Sequence, residues 1–158
     1  MKKVTSAMPD PRPLAPAVER RVRESFARQQ AMATIGAAMA DVREGMAEIV
    51  LPFSPALTQQ HGFIHAGIVA LICDTACGYA ALSMMPEDAA VLTTEFKINL
   101  LSPAKGERLI ATGRVVRAGR KLFVCMGEVF AQQGEARKQV ALMTASMMVV
   151  ETSTGLRD

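Results

Sequence analysis

The segment from residue 66 to residue 85 constrains the fold more than any other feature, because its 20 residues carry a single charge, that of Asp74. A segment of this length can span a bilayer as a helix. A charge near the middle is costly in lipid, however, and no basic cluster flanks either end. An apolar helix outside a membrane is buried on all sides, so the sequence predicts a long helix inside a protein core.

Segments with other patterns flank this helix. Residues 17–30 have the period of an amphipathic helix, and residues 52–64 form a loop that leads into the buried helix. Strands are expected in six places, at residues 35–42, 47–51, 92–100, 108–117, 122–130 and 138–150. We therefore expect an α+β protein in which one sheet wraps around one helix and the last four strands form an antiparallel meander. Sheet edges invite pairing, so oligomerisation is expected.

The strand at residues 92–100 has the clearest period of two in the chain. Strict alternation places two sets of residues on opposite faces. One set is Leu92, Thr94, Phe96, Ile98 and Leu100, and the other is Thr93, Glu95, Lys97 and Asn99.

The length of 158 residues fits one domain. Residues 1–16 contain four prolines and no apolar run, so they predict a flexible lead-in rather than a signal peptide. We expect a single domain at residues 17–151 and a loose tail at residues 152–158.

Composition narrows the partners and the compartment. The net charge of +3 and the 4% of aromatic residues do not suggest a nucleic-acid surface. The odd number of cysteines argues against a secreted disulfide scaffold, so a cytoplasmic location is expected. No further ligands complete a metal site around Cys73 and Cys77, and we expect neither a metal nor a cofactor. A cysteine nucleophile is disfavoured because no local histidine would activate it.

Asp74 is the strongest catalytic candidate, because a carboxylate in an apolar helix is costly and no basic residue lies within a helical turn of it. His65 stands at the predicted start of the same helix, followed by Ala66 and Gly67. Free backbone N–H groups at a helix start can bind an oxyanion. The nine residues from His65 to Asp74 make two and a half helical turns, so the two side chains are expected on opposite faces, roughly 13 Å apart along the axis. One subunit could not then hold both in one site, and a two-fold dimer would supply one from each chain.

Residues 65–78, HAGIVALICDTACG, resemble the signature H-G-G-x5-6-L-x-D-x3-G of the PaaI-type acyl-CoA thioesterases of the hotdog fold. Residues 93–104, TTEFKINLLSPA, are similar to the next strand and turn of that family, and the turn at residues 118–121 also fits. The resemblance extends over about residues 18–150. It implies a hotdog fold, an antiparallel sheet around one central helix, and hydrolysis of an acyl- or aryl-CoA to the free acid and CoA.

The resemblance also implies roles for individual residues. Asp74 would activate the attacking water, and Thr93 would hold it. Gln59, where the family has Asn, would orient the carbonyl or the water, and Ala66, where the family has Gly, would bind the oxyanion with its backbone N–H beside Gly67. Substrate binding is expected at Thr94, Arg117, Gly119, Arg120 and Lys121.

The residue pattern leaves alternatives open. Arg114, Arg117, Arg120 and Lys121 are either a clamp for the phosphates of CoA or an ordinary solvated hairpin. The chain could also be a hotdog enoyl-CoA hydratase or a non-catalytic acyl-CoA binding module. A binding module that acts as a regulator would need a DNA-reading element, and the single convincing helix before residue 42 is too little for a helix-turn-helix. The acyl group, and the choice between a dimer and a dimer of dimers, stay undetermined.

Overall fold

A computed structural model describes residues 11–151 and residue 155. The predicted lead-in and tail therefore lie largely outside the described residues. The elements in chain order are α1 (Pro16–Ala27), α2 (Gln30–Ile35), β1 (Ala38–Arg43), β2 (Met46–Pro52), α3 (Ala66–Leu82), β3 (Ala89–Leu100), β4 (Arg108–Ala118), β5 (Leu122–Gln133) and β6 (Ala136–Glu151). A 3-10 turn at Pro55–Leu57 interrupts the loop before α3.

All six described strands form one antiparallel sheet in the order β1-β2-β4-β5-β6-β3. The α+β class and the sheet around one helix are confirmed. The prediction of a four-strand meander is wrong, because only β4, β5 and β6 pair in sequence and β3 pairs with β6 at the far edge. The connection through β3 crosses the sheet, and local periodicity does not encode which strand becomes a neighbour.

The long helix α3 packs across the sheet and contributes most of its side chains to the core. It comes very near the sheet at Gly113 in β4, where a Cβ atom would lie 2.3 Å from the backbone carbon of Ala76. A glycine is therefore required at this crossing. No helix in the described part of the chain is long and apolar enough to cross a membrane.

The expectation that α3 is buried on all sides is only partly right. One stripe of its surface stays at least partly exposed, and it comprises Gly67, Ala70, Leu71, Asp74 and Gly78. These positions recur every three or four residues, so they share one face of the helix. The sheet curves around the other faces and leaves this one uncovered.

The segment before β1 contains a second helix that the sequence pattern did not reveal. Residue 35 was expected to begin the first strand, but α2 runs to Ile35 and ends at Gly36, whose φ is 74°. Six residues are too few to display a hydrophobic period. The junction of α1 and α2 brings Gln29 to the side of α3, where it lines a cavity together with Asp74.

Strict alternation along β3 is also wrong. A register shift between Thr93 and Glu95 makes Thr94 a bulge residue. Thr93 pairs with Met147, and Phe96 pairs with Ala145, so both point to the helix side with these buried partners. Leu92 pairs with the exposed Met148 on the outer face. The bulge therefore places Phe96 on the opposite face from Leu92, on the helix side together with Thr93.

Candidate active site

The start of α3 offers one unused backbone donor. His65 is the N-cap and lies outside the helix, with φ −59° and ψ 140°. Its Nδ1 accepts a hydrogen bond from the Gly67 N–H at 2.9 Å, and its own N–H donates to the Leu57 carbonyl at 2.9 Å. Within the described residues, the Ala66 N–H has no partner, and Ala66 is exposed. The donor available to an oxyanion is therefore the Ala66 amide, while the Gly67 amide is occupied.

The N-cap conformation of His65 affects where its side chain lies relative to Asp74. Because His65 is not helical, the helical rotation of 100° per residue does not give the direction of its side chain relative to Asp74. Its side chain folds back onto the first turn. The separation along the helix still holds, since eight residues from Ala66 to Asp74 correspond to about 12 Å.

The loop before the helix places Gln59 beside the same amide. The Gln59 N–H donates a hydrogen bond to the Phe63 carbonyl at 2.9 Å, and the Gly62 N–H donates one to the Gln59 carbonyl at 3.0 Å. The side-chain Oε1 of Gln59 accepts a hydrogen bond from the His61 N–H. The carboxamide oxygen is thus held within the loop, which leaves Nε2 as the end of the side chain that can donate. Gln59 and Ala66 both line a cavity of about 410 Å³.

Asp74 lies halfway along α3, and its partner is on β3. The Thr93 hydroxyl donates a hydrogen bond to Asp74 Oδ1 at 2.9 Å, and the same hydroxyl lies 3.3 Å from Met147 Sδ. Burial raises the pKa of the Asp74 carboxyl above its ordinary value, and the hydrogen bond from Thr93 lowers it in part. A carboxylate in this environment can accept a proton more readily than an exposed aspartate can.

The two predicted halves of the site lie in different cavities of one chain. Asp74 and Thr93 line a cavity of about 100 Å³, and neither Gln59 nor Ala66 contributes to it. The structure thus brings Asp74 together with Thr93 and brings Gln59 together with Ala66. It does not join the two pairs within a single chain.

The predicted phosphate-binding residues lie in and beside the hairpin between β4 and β5. Gly119 closes it, since its N–H donates to the Leu122 carbonyl at 3.0 Å and a Cβ atom would lie 2.4 Å from that oxygen. Arg117, Arg120 and Lys121 are exposed, and no ion pair involves them in the described part of the chain. Thr94 stands apart from both cavities and donates to the Ser146 carbonyl at 3.1 Å.

The three cysteines are free thiols buried between α3 and β5. The pKa of Cys77 is raised by its hydrogen bond with Cys73 and by burial, and burial raises the pKa of Cys125 to about 12. Protonated thiols are poor nucleophiles, so this cluster packs the core. No group of three or more metal-binding side chains occurs among residues 11–151 and 155.

Gln29 lines the candidate site, although the sequence did not indicate it. It lines the same cavity as Asp74 and Thr93, although 45 residues separate it from Asp74 in the chain. A glutamine at the end of an amphipathic helix carries no distinctive signal. Its place becomes visible only when the junction of α1 and α2 is known.

Comparisons with known proteins agree with this architecture. Residues 61–138 match the family model of the thioesterase superfamily. A thioesterase family protein from Silicibacter pomeroyi superposes with a TM-score of 0.83 and 48% identity, over 85% of this chain and 98% of that one. The PaaI protein of the phenylacetic acid degradation operon of Escherichia coli gives a TM-score of 0.76 at 22% identity, over 84% of this chain and 93% of that one. This last likeness shows the fold alone.

The chain therefore belongs to the thioesterase superfamily, a family of hydrolases with the hotdog fold. A candidate esterase from Halobacterium salinarum is 35% identical over 95 residues, which are 57% of this chain and 62% of that protein. A candidate esterase from Saccharolobus solfataricus is 29% identical over 103 residues, which are 65% of this chain and 68% of that protein.

Proposed function

We propose that this protein hydrolyses the thioester of an acyl-CoA to the free acid and CoA. The observation that carries the proposal is the pair formed by Asp74 and Thr93, a partly buried carboxylate that receives a hydroxyl hydrogen bond at the wall of a cavity. A base of this kind can take a proton from water, which then attacks a carbonyl carbon. A module that only binds acyl-CoA has no need for such a base.

In the proposed reaction, the water gives one proton to Asp74 as its oxygen bonds to the thioester carbon. The carbonyl oxygen becomes an oxyanion that accepts hydrogen bonds from the Ala66 N–H and from Gln59 Nε2. The intermediate then collapses, the carbon–sulfur bond breaks, and the CoA sulfur takes the proton from Asp74. The products are a carboxylic acid and a free thiol.

We propose that each site is shared between two chains. The Ala66 amide and the Asp74 carboxyl are about 12 Å apart along one helix and line separate cavities, which is too far for one carbonyl to reach both. A second chain that docks along β3 would place its own Asp74 opposite this Ala66. Two features support a partner there: β3 is an edge strand with exposed Phe96 and Leu100, and the uncovered stripe of α3 adjoins it. Either a dimer or a dimer of dimers satisfies this requirement.

The hairpin with Gly119, Arg120 and Lys121 is proposed to hold the phosphates of CoA. Its cations are exposed and form no ion pair with the described residues, so they are available to an anion. Arg117 lies on the adjoining end of β4 and adds to the same positive surface. The buried free thiols suit a reducing compartment, and we propose a cytoplasmic location on that ground.

A thiol-release assay across acyl-CoA chain lengths tests the function. The parent should release free CoA, and Asp74→Asn should lower kcat by about 10²–10⁴-fold because the base is lost. Asp88→Asn is the matched control, since Asp88 is exposed and lines neither cavity. If Asp74→Asn hydrolyses every acyl-CoA as fast as Asp88→Asn does, Asp74 is not the base.

A further inference from the structure

The cavity beside Asp74 continues along α3 to Gly78, one helical turn further on. A Cβ atom built at Gly78 meets nothing within 4 Å, apart from the helix's own backbone. Glycine in a helix interior is destabilising by about 1 kcal/mol relative to alanine. Within one chain an alanine would fit here and would strengthen the helix, so the packing of the single chain gives no steric reason for the glycine. What the glycine preserves is open space next to the carboxylate.

The wall of the same cavity contains a polar atom that the protein does not satisfy. Gln29 Oε1 is buried and has no hydrogen-bond partner among the described residues. A buried carbonyl oxygen without a donor is unfavourable. The side chain is not recruited as the cap of α2 either, although Gln29 occupies the N-cap position.

The backbone around Gln29 is held by hydrogen bonds, so the residue has a fixed place at the wall of the cavity. The Gln29 N–H donates to the Phe26 carbonyl at 3.0 Å, and the Met32 N–H donates to the Gln29 carbonyl at 3.1 Å. The guanidinium of Arg21 on α1 donates to the Ala89 carbonyl at 2.8 Å and ties this helix to the start of β3. The Tyr79 hydroxyl on the same cavity lies 3.3 Å from the Ser25 hydroxyl.

We infer that this cavity is the acyl pocket, and that Gln29 selects a short acyl group that carries a hydrogen-bond donor such as a hydroxyl. The inference rests on the proposed function, because that reaction brings the thioester carbon to Asp74. The rest of the acyl chain then extends from that carbon into the cavity. Gly78 leaves room for the chain, and Gln29 Oε1 accepts the hydrogen bond from its hydroxyl. The volume of about 100 Å³ suits a chain of a few carbons. It is smaller than the roughly 150 Å³ of a cavity that holds benzene.

Two substrates of equal length test the role of Gln29: butyryl-CoA and 3-hydroxybutyryl-CoA. The parent should prefer the hydroxylated substrate by about tenfold in kcat/KM. Gln29→Met keeps the length of the side chain but removes the acceptor, so it should abolish this preference, with a greater loss of kcat/KM on 3-hydroxybutyryl-CoA than on butyryl-CoA. Gln30→Met, at the exposed neighbouring position, should behave like the parent. An equal loss on both substrates would mean that Gln29 serves the water or the fold, and the inference would be wrong.

Gly78→Ala tests the pocket through a second readout. It should raise Tm by about 2–4 °C because the helix gains an alanine. It should also lower kcat/KM on butyryl-CoA while activity on acetyl-CoA is kept, because the methyl group takes up space at the end of the cavity. A lower Tm, or unchanged activity on butyryl-CoA, would overturn the assignment of the pocket.

Binding separates this inference from the proposed function. Asp74→Asn should bind 3-hydroxybutyryl-CoA more tightly than butyryl-CoA in a calorimetric titration, and the additional change Gln29→Met should remove the difference. If the parent hydrolyses neither substrate but this binding preference is present, the proposed hydrolysis fails and the pocket stands. Equal binding of the two thioesters would refute the pocket whether or not hydrolysis occurs.

Discussion

The Thr93 hydroxyl donates a hydrogen bond of 2.9 Å to Asp74 Oδ1 and opposes the effect of burial on the same carboxyl. Burial raises the pKa of Asp74 by disfavouring the charged form, and the hydroxyl lowers it by stabilising that form. Thr93 can make this contact because it pairs with the buried Met147 and so lies on the helix side of the sheet, immediately before the bulge at Thr94.

Thr93→Val should shift the pH dependence of hydrolysis. Without the hydroxyl, the pKa of Asp74 rises further, and activity requires the deprotonated base. The acid limb of the profile of kcat/KM against pH should therefore move to higher pH. Thr144→Val, at an exposed position on β6, is the control and should leave the profile of the parent unchanged. An acid limb that stays in place or moves to lower pH would show that Thr93 does not act on the base.

Asp74→Asn should stabilise the fold at neutral pH. The pKa of Asp74 is higher in the folded than in the unfolded chain, so the group contributes stability below its unfolded pKa. That contribution is lost as the pH rises through the folded pKa, because ionisation becomes unfavourable in the buried position. Asparagine does not ionise, so its Tm should exceed that of the parent at neutral pH, and the difference should shrink in acid. Thermal scans at several pH values measure this, and a lower Tm for the variant at neutral pH would contradict it.

Two inactive variants should restore activity when their subunits are mixed. Asp74→Asn lacks the base, and Gly67→Trp blocks the helix start, where even a Cβ atom would lie 3.1 Å from His65 Nδ1. In a mixed dimer with shared sites, one site carries both changes and the other carries neither. Activity should then reappear in up to half of the dimers. If mass spectrometry confirms subunit exchange and no activity returns, the site is not shared.

Arg120→Ala and Lys121→Ala should raise KM for acyl-CoA by about three- to tenfold, with a smaller effect on kcat. The phosphates are bound about equally in the ground state and the transition state, so losing a contact to them should change KM more than kcat. The effect should shrink at high salt. Lys138→Ala removes an exposed cation near the start of β6 and should leave KM unchanged. If all three variants share the KM of the parent, the hairpin is an ordinary solvated turn.

Much of the fold and part of the candidate site could be predicted from the residues alone. The apolar segment around Asp74 predicts α3 because a helix that is apolar almost all round is largely buried when it lies outside a membrane. The spacing from His65 to Asp74 indicates the position of the proposed oxyanion donor, next to His65, and of the proposed base, Asp74. The features of the fold and the candidate site that could not be predicted all depend on contacts between segments that are distant in the chain. Gln29 reaches the Asp74 cavity only through the packing of α1 and α2.

The sequence by itself determined the strands, the long helix and the lone carboxylate within it, since hydrophobic periodicity records which side of each element faces the core. Tertiary structure decided that β3 is an edge strand beside β6, that Thr93 meets Asp74 just before the bulge at Thr94, and that His65 occupies the Gly67 amide and leaves the Ala66 amide unpaired. The physical reason is that strand neighbours and hydrogen-bond partners are set by competition among groups far apart in the chain. A local pattern of polar and apolar residues contains no record of that competition.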